Sequence, residues 1–277
     1  MLDYHHSFYS RTMNLVEKYG RWALVAGASE GLGAAFASFL ASAGMNLVVV
    51  ARRREPLEKF GRELEAAFKV QVICISCDLA AADAASQLQL ATRGQEINIM
   101  VYNAAQSYIG SFELKTPNEN NQIVQANIIT PMNLVQAFGE KMLENKKGAI
   151  ILMASLAGFQ GSGFLSVYGA TKAFDRVFAE GLWYEWKDRG VDIIACCAGA
   201  TSTPNFIRTK PGKANFFAPK VQAPDQVVRE CFTQLGKRPS FVSGRGNRLA
   251  GFIMQKILPR KMAVKIMGDN TRKMYRL

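Results

Sequence analysis

At 277 residues and 30.5 kDa the chain is one large domain or two small ones. Apolar residues make up 49% and charged residues 20%, which excludes wholesale disorder. The only histidines are His5 and His6, which excludes hydrolases, proteases and zinc enzymes that need an internal His, and the net charge is +12.

Taken in chain order, Met1 to Arg21 mixes polar and aromatic residues and lacks the apolar core of a signal peptide, so residues 1–20 read as an N-terminal extension. From Trp22 to Val242 short apolar runs alternate with segments of helical period. Strands are predicted at Trp22–Ala26, Asn46–Ala51, Gln71–Ser76, Ile97–Tyr102, Ala149–Ala154, Asp192–Cys197 and Phe241–Val242. Helices are predicted at Leu32–Ala43, Pro56–Phe68, Ala81–Ala91, Pro117–Glu144, Val167–Lys187 and Pro224–Leu235. The strand runs are almost continuously apolar, as in strands buried on both faces. Such alternation predicts an α/β fold, a doubly wound parallel sheet of about seven strands with helices on both faces. Residues 21–243 form this domain.

Two stretches invite other readings. Gly148 to Thr171 carries no charge and is long enough for a bilayer, but its Gly, Ser and Gln160 fit strand, loop and helix start better. Cys74 and Cys77 are spaced C-x2-C without a second pair, inside a strand-like run. They read as small core thiols, no metal site is expected, and five reduced Cys fit a cytoplasmic location.

After the first strand comes Gly27-Ala28-Ser29-Glu30-Gly31-Leu32-Gly33, then an Ala-rich helix. Glycines there let backbone approach a pyrophosphate at a helix N-terminus. The second strand ends in Ala51-Arg52-Arg53-Arg54, with no acid for a ribose 2′-hydroxyl. Arg at this place suits the 2′-phosphate of NADP(H). A solvated helix start is the other reading, although cations there oppose the helix dipole. Asp78, followed by Leu79 at the end of the third strand, is placed to contact adenine or to cap the next helix.

Tyr168 and Lys172 share one helix face at i, i+4. Alone, Tyr-x3-Lys arises by chance in a chain with eight Tyr. Ser155 closes the fifth predicted strand, Asn127 lies in the preceding long helix, and Asn103 follows the fourth strand. In this order, with the glycine turn and Tyr102-Asn103-Ala104-Ala105, they resemble the short-chain dehydrogenase/reductase family over about residues 20–245. The resemblance implies a Rossmann-type sheet and an NADP(H)-dependent oxidoreductase of alcohols and ketones. It assigns proton transfer to Tyr168, a ribose contact and Tyr activation to Lys172, carbonyl orientation to Ser155 and a relay water to Asn127. Cofactor contacts are implied for Gly27, Ser29, Glu30, Gly31, Leu32, Gly33, Arg52, Arg53, Asp78, Leu79, Asn103, Ala104, Tyr168, Lys172 and Thr203. A free Tyr near pKa 10 is a poor base, and an adjacent ammonium favours its phenolate. Pro131 has no N–H for the carbonyl of Asn127, which leaves that carbonyl to a relay water or to a plain kink. The family's usual Asn-Asn-Ala-Gly is Tyr102-Asn103-Ala104-Ala105 here, and its Pro-Gly is Ala198-Gly199.

The substrate lid is expected at about residues 201–223, where Phe206, Ile207, Phe216 and Phe217 stand among Pro and Gly. With Phe159, Phe164 and Leu165 it suggests a bulky hydrophobic ketone, lipid-, steroid- or aromatic-like. A homodimer or homotetramer is implied by the family. A non-catalytic NADP-binding or scaffold protein on the same fold is the alternative.

Lys237 to Leu277 holds eleven Lys or Arg and one acid, Asp269, so the tail carries +10 and the rest only +2. Residues 244–277 read as a basic amphipathic extension that Pro259 breaks into two short helices. It could pack on the body or a second subunit, or attach to an anionic membrane. Nucleic acid is disfavoured, since no recognition motif accompanies the charge.

Overall fold

The computed structural model describes residues 14–209, 212 and 221–277. Its strands are β1 (Trp22–Ala26), β2 (Asn46–Ala51), β3 (Val72–Ser76), β4 (Ile97–Tyr102), β5 (Gly148–Ser155), β6 (Val191–Ala198) and β7 (Ser240–Val242). They form one parallel sheet in the order β3-β2-β1-β4-β5-β6-β7. The chain order reverses between β1 and β4. The crevice beyond their carboxyl ends is where such sheets bind ligands.

The helices are α1 (Leu15–Tyr19), α2 (Gly31–Ser42), α3 (Arg54–Phe68), α4 (Ala84–Ala91), α5 (Pro117–Val124), α6 (Thr130–Glu144), α7 (Ser166–Trp186), α8 (Pro204–Arg208), α9 (Pro224–Gln234), α10 (Arg245–Phe252) and α11 (Arg260–Tyr275). Alternate strand residues face opposite layers, as the pleat requires. Val25, Val49, Val101 and Ile151 pack with Phe36, Leu40 and Phe232 on one side. Leu24, Val48, Met100 and Ile150 pack with Leu88, Leu134 and Trp186 on the other. β1, β2, β4, β5 and β6 are buried on both faces, which is why their runs carry no polar alternation, whereas the edge strand β3 is only partly buried.

Three helices differ from expectation. The helix predicted from Ala81 begins at Ala84, because Asp78 first folds a turn: its Oδ1 accepts from Ala80 N–H at 3.1 Å, and its carbonyl accepts from Ala81 N–H at 3.0 Å. Asp78 therefore holds that turn and does not cap α4. The helix predicted over Pro117–Glu144 is interrupted by a π-turn at Gln125–Ile129. In the tail, Pro259 does end one helix, but α11 runs for 16 residues and is not short.

The N-terminal extension is in part bound to the body. Tyr19 and Lys18 both donate to Asp192 Oδ2 at 2.7 Å, tying α1 to the start of β6. Gly148 to Thr171 divides into β5, a turn, a loop and the start of α7. Among the described residues no helix is long and apolar enough to cross a membrane.

Candidate active site

The glycine turn is built by close approach. Gly27 sits at φ +81°, and a Cβ there would lie 2.8 Å from the Ala104 backbone. Gly31 sits at φ +63°, and a Cβ there would lie 2.9 Å from the Thr203 side chain. A Cβ on Gly33 would meet the Gly27 carbonyl at 1.9 Å, so only Gly lets the first turn of α2 pack on this loop. Asn103 braces the turn, donating from Nδ2 to the Gly27 carbonyl at 3.1 Å. Glu30 precedes α2 without a side-chain cap bond. The N-terminal N–H groups of α2 thus face the crevice, a cradle suited to a pyrophosphate.

The three arginines after β2 have different fates. Arg53 Nη2 lies 3.0 Å from Glu30 Oε2, and Arg54 Nε lies 2.7 Å from Glu58 Oε1. Arg52 lines the cleft and makes no ion pair among the described residues. Glu30 also receives Arg208 of α8, whose Nη1 donates to Oε2 at 3.2 Å. Arg208 foremost, with Arg53 adding, holds the Glu30 carboxyl below its usual range. The pair fastens α8 over the glycine turn. Thr203 caps α8, accepting from Phe206 N–H at 3.2 Å. Leu79 is buried, and its carbonyl accepts from Thr130 Oγ1 at 2.9 Å.

Ser155 ends β5, where Oγ accepts from Ala157 N–H at 3.2 Å. Tyr168 lies in the first turn of α7 and Lys172 one turn later. The Lys172 Nζ is 5.9 Å from the centre of the Tyr168 ring. It donates to the Met153 carbonyl at 2.7 Å and to Asp175 Oδ2 at 2.9 Å. Asn127 is fully buried and its side chain is committed: Oδ1 accepts from Gln106 N–H at 2.8 Å. Its Nδ2 donates to the Gln106 carbonyl at 2.9 Å and to Thr171 Oγ1 at 3.0 Å. Asn127 so clamps the loop after β4 against α7.

These elements enclose a cleft of about 690 Å³. Every residue expected at the site lines it except Gly33 and Asn127, which act on its walls from behind. The tail supplies a wall that sequence reasoning missed: Met267, Asn270, Thr271, Met274 and Tyr275 of α11 line the cleft. Their spacing of three and four along one face was the available signal. Arg260 donates to the Phe159 carbonyl at 2.8 Å, and Arg272 lies 5.2 Å from the Phe164 ring centre. Gly212 N–H donates to the Met274 carbonyl of α11 at 2.8 Å. The chain after β6 is joined to the chain before α9 by Ser202 N–H to the Gln222 carbonyl and Gln222 N–H to the Ala200 carbonyl, both 2.9 Å. Phe216 and Phe217 lie outside the described residues. Tyr102, standing where the family has Asn, is buried and donates to the Ala126 carbonyl beside the π-turn.

Comparison with known proteins agrees with this geometry. The short chain dehydrogenase family matches residues 21–214. A 7beta-hydroxysteroid dehydrogenase of Clostridium sardiniense is 33% identical over 236 residues, covering 85% of this chain and 90% of that one. A structure solved for the stereoselectivity of 7beta-hydroxysteroid dehydrogenase superposes with TM-score 0.87 at 29% identity, covering 92% of this chain and 99% of that one. A short-chain dehydrogenase from Sphingobium yanoikuyae in complex with NADPH superposes with TM-score 0.72 at 27% identity, covering 80% of this chain and 87% of that one. The chain belongs to the short-chain dehydrogenase/reductase family of nicotinamide-dependent oxidoreductases acting on CH–OH and C=O groups.

Proposed function

We propose that the chain interconverts a bulky hydrophobic ketone and its secondary alcohol with NADP(H). The observation that carries this reading is Tyr168 and Lys172 on one face of α7, lining the same cleft as Ser155 and the glycine turn. Bound nicotinamide would supply or accept the hydride. Tyr168 would hold the proton exchanged with the substrate oxygen, and Ser155 Oγ would orient that oxygen. Lys172 would offer the phenolate a neighbouring positive charge and bind the cofactor ribose. The Asn127 side chain keeps α7 and the loop after β4 in register. Its carbonyl, which Pro131 cannot bond, would accept from a relay water.

The 7beta-hydroxysteroid dehydrogenases among the relatives support a polycyclic substrate. The hydroxysteroid dehydrogenase structure covers 92% of 277 residues, about 255, which exceeds the 243 residues before the tail. That likeness therefore takes in part of residues 244–277, the segment that also supplies Met267, Met274 and Tyr275 to the cleft. An oxosteroid should be reduced in a panel of ketones graded by size, followed by loss of NADPH absorbance. Tight NADPH binding with no turnover on any ketone would favour the scaffold alternative.

For the cofactor, Arg52 is the guanidinium left for a 2′-phosphate, since Arg53 and Arg54 are engaged by Glu30 and Glu58. Charge-assisted phosphate–Arg contacts are strong. Arg52→Ala should weaken NADPH about tenfold or more, as loss of a charged hydrogen bond of ~1.5–3 kcal/mol implies, and leave NADH nearly unchanged. Calorimetry with both cofactors measures it. Equal weakening of the two would remove Arg52 from phosphate recognition.

The outer face of the tail supports contact with an anionic membrane. Leu249, Phe252, Ile257 and Met262 are 63%, 56%, 61% and 50% exposed, among the cations Arg245, Lys256 and Lys261. Sedimentation with anionic vesicles should recover more protein at low salt than at high salt. Equal recovery with neutral vesicles would rule the contact out. Exposed Val177 and Tyr184 on α7 support pairing into a homo-oligomer through the long helices, which a sizing column would read.

A further inference from the structure

A second ionisable group on α7 is not used by the reading above. Asp175 lies three residues after Lys172 on the same helix face and is 2% exposed. Its Oδ2 stands 2.9 Å from Lys172 Nζ, with both side chains almost wholly out of water. An ammonium has three N–H donors. Met153 O and Asp175 take two of them, and one remains for the cleft that Lys172 lines.

Among the described residues Asp175 is the carboxylate bonded to the ammonium. Tyr168 faces Lys172 from the same helix, Tyr102 faces the pair from β4 and Cys197 from β6. Arg176 and Glu180 stand further along α7 beside Cys197, and Tyr275 of α11 faces Tyr168. Burial pushes the Cys197 thiol up to about 12 and the Tyr102 phenol well above its ordinary value, so both are neutral at neutral pH. Glu180 is the remaining acid near this group, but its carboxylate pairs with Arg176 at 3.6 Å. Burial alone works against a charged Lys172, yet Asp175 and Tyr168 together outweigh it and hold Lys172 above its ordinary value. Burial likewise pushes the Asp175 carboxyl above its ordinary value, although Lys172 pulls it down in part.

We propose that Asp175 is a positioning residue: it holds the Lys172 ammonium charged and aimed at the cleft, and so acts on the reaction through Lys172. Its effect on the reaction rests on the role proposed for Lys172. Its effect on the ammonium does not, and can be read on the ligand-free protein.

The expected result follows from proton linkage. In the native chain the folded state binds the Lys172 proton more tightly than the unfolded chain, so this stability is present at neutral pH and lost as pH rises through the folded value. In Asp175→Asn burial acts without its counterweight, the order reverses, and stability rises with pH instead. The melting-temperature deficit of Asp175→Asn against the native chain should be largest near pH ~7 and at least halved by pH ~10. A variant unfolded at the lower pH and folded at the higher one is the extreme form of the same result. Asp175→Glu, which keeps the charge, should show a deficit that does not change with pH. A pH-independent deficit in Asp175→Asn, or none, overturns the proposal.

The second arm reads the reaction. In Asp175→Asn the midpoint of the pH–rate profile for alcohol oxidation should move to higher pH by about one unit or more, because an ammonium that sheds its proton no longer favours the Tyr168 phenolate. Asp175→Glu should restore it. An unmoved midpoint, or one moved to lower pH, overturns the effect on the reaction. If no alcohol is oxidised by the native chain, the proposed function fails, while the melting comparison still decides what Asp175 does to Lys172.

Discussion

Replacing Tyr168 by Phe is expected to lower turnover by ~10²–10⁴-fold, the usual range for a lost general acid–base group, while NADPH still binds. The change deletes one hydroxyl and nothing that holds the helix. The carbonyl of Tyr168 still accepts from Thr171 Oγ1 at 2.9 Å, and Thr171 stays tied to Asn127. Gly169, against whose absent Cβ the Ala157 carbonyl lies at 3.0 Å, keeps the first turn of α7 close to the end of β5. The ring therefore keeps its place, and any loss reports the proton. Turnover with the best ketone of the panel and calorimetry with NADPH measure the two halves of this expectation. A variant that keeps most of its turnover removes Tyr168 from the mechanism, and one that loses NADPH shows that the hydroxyl serves binding instead.

The sheet was legible because its strands are buried on both faces, which writes them as unbroken apolar runs. Trp22–Ala26, Asn46–Ala51 and Ile97–Tyr102 stand as the runs predict, and the start of β3 differs by one residue, at Val72. Helix limits were less legible, since local turns compete with helical period. Asp78 accepts a backbone bond two residues on and delays α4 by three residues. The π-turn at Asn127 leaves no mark on a period that remains near helical on both sides of it.

Ion pairs between distant segments were invisible to spacing. Spacing assigned both Arg52 and Arg53 to the cofactor, yet Glu30 takes Arg53 from 23 positions away, and of the two only Arg52 makes no ion pair among the described residues. Arg208 joins the same carboxylate across 178 positions, so α8 and the glycine turn share one anion. Asp175 could have been found, because Tyr168, Lys172 and Asp175 fall on one helix face at four and three residues. What period could not say is that this face stays dry at its far end. The tail posed the reverse case. Amphipathic spacing was plain in the sequence, but an apolar stripe does not reveal what covers it. In the fold, Ala263 and Thr271 of α11 turn inward over the loop around Phe159 to Phe164, while Leu249, Phe252 and Ile257 stay outside.

The buried pair makes Lys172→Ala a test of stability as well as of catalysis. Removing the ammonium leaves Asp175, 2% exposed in the native chain, with no ion-pair partner among the described residues, and breaking a buried pair from one side costs about 3–5 kcal/mol. Arg176 on the next residue cannot replace it without leaving Glu180 and the face of Phe159, which its guanidinium covers at 5.0 Å. Lys172→Ala should therefore melt well below the native chain and also lose turnover by ~10²-fold or more, as expected when the proton-transfer group loses its partner. A double variant separates the two effects. Lys172→Met with Asp175→Leu removes both charges and fills the space with apolar atoms, which is often neutral or stabilising for a buried pair. It should recover most of the lost melting temperature and none of the turnover. Recovery of turnover in the double variant would mean that Lys172 serves only to neutralise Asp175. Failure to recover stability would mean that the loss came from the missing side-chain volume of Lys172 rather than from a stranded carboxylate.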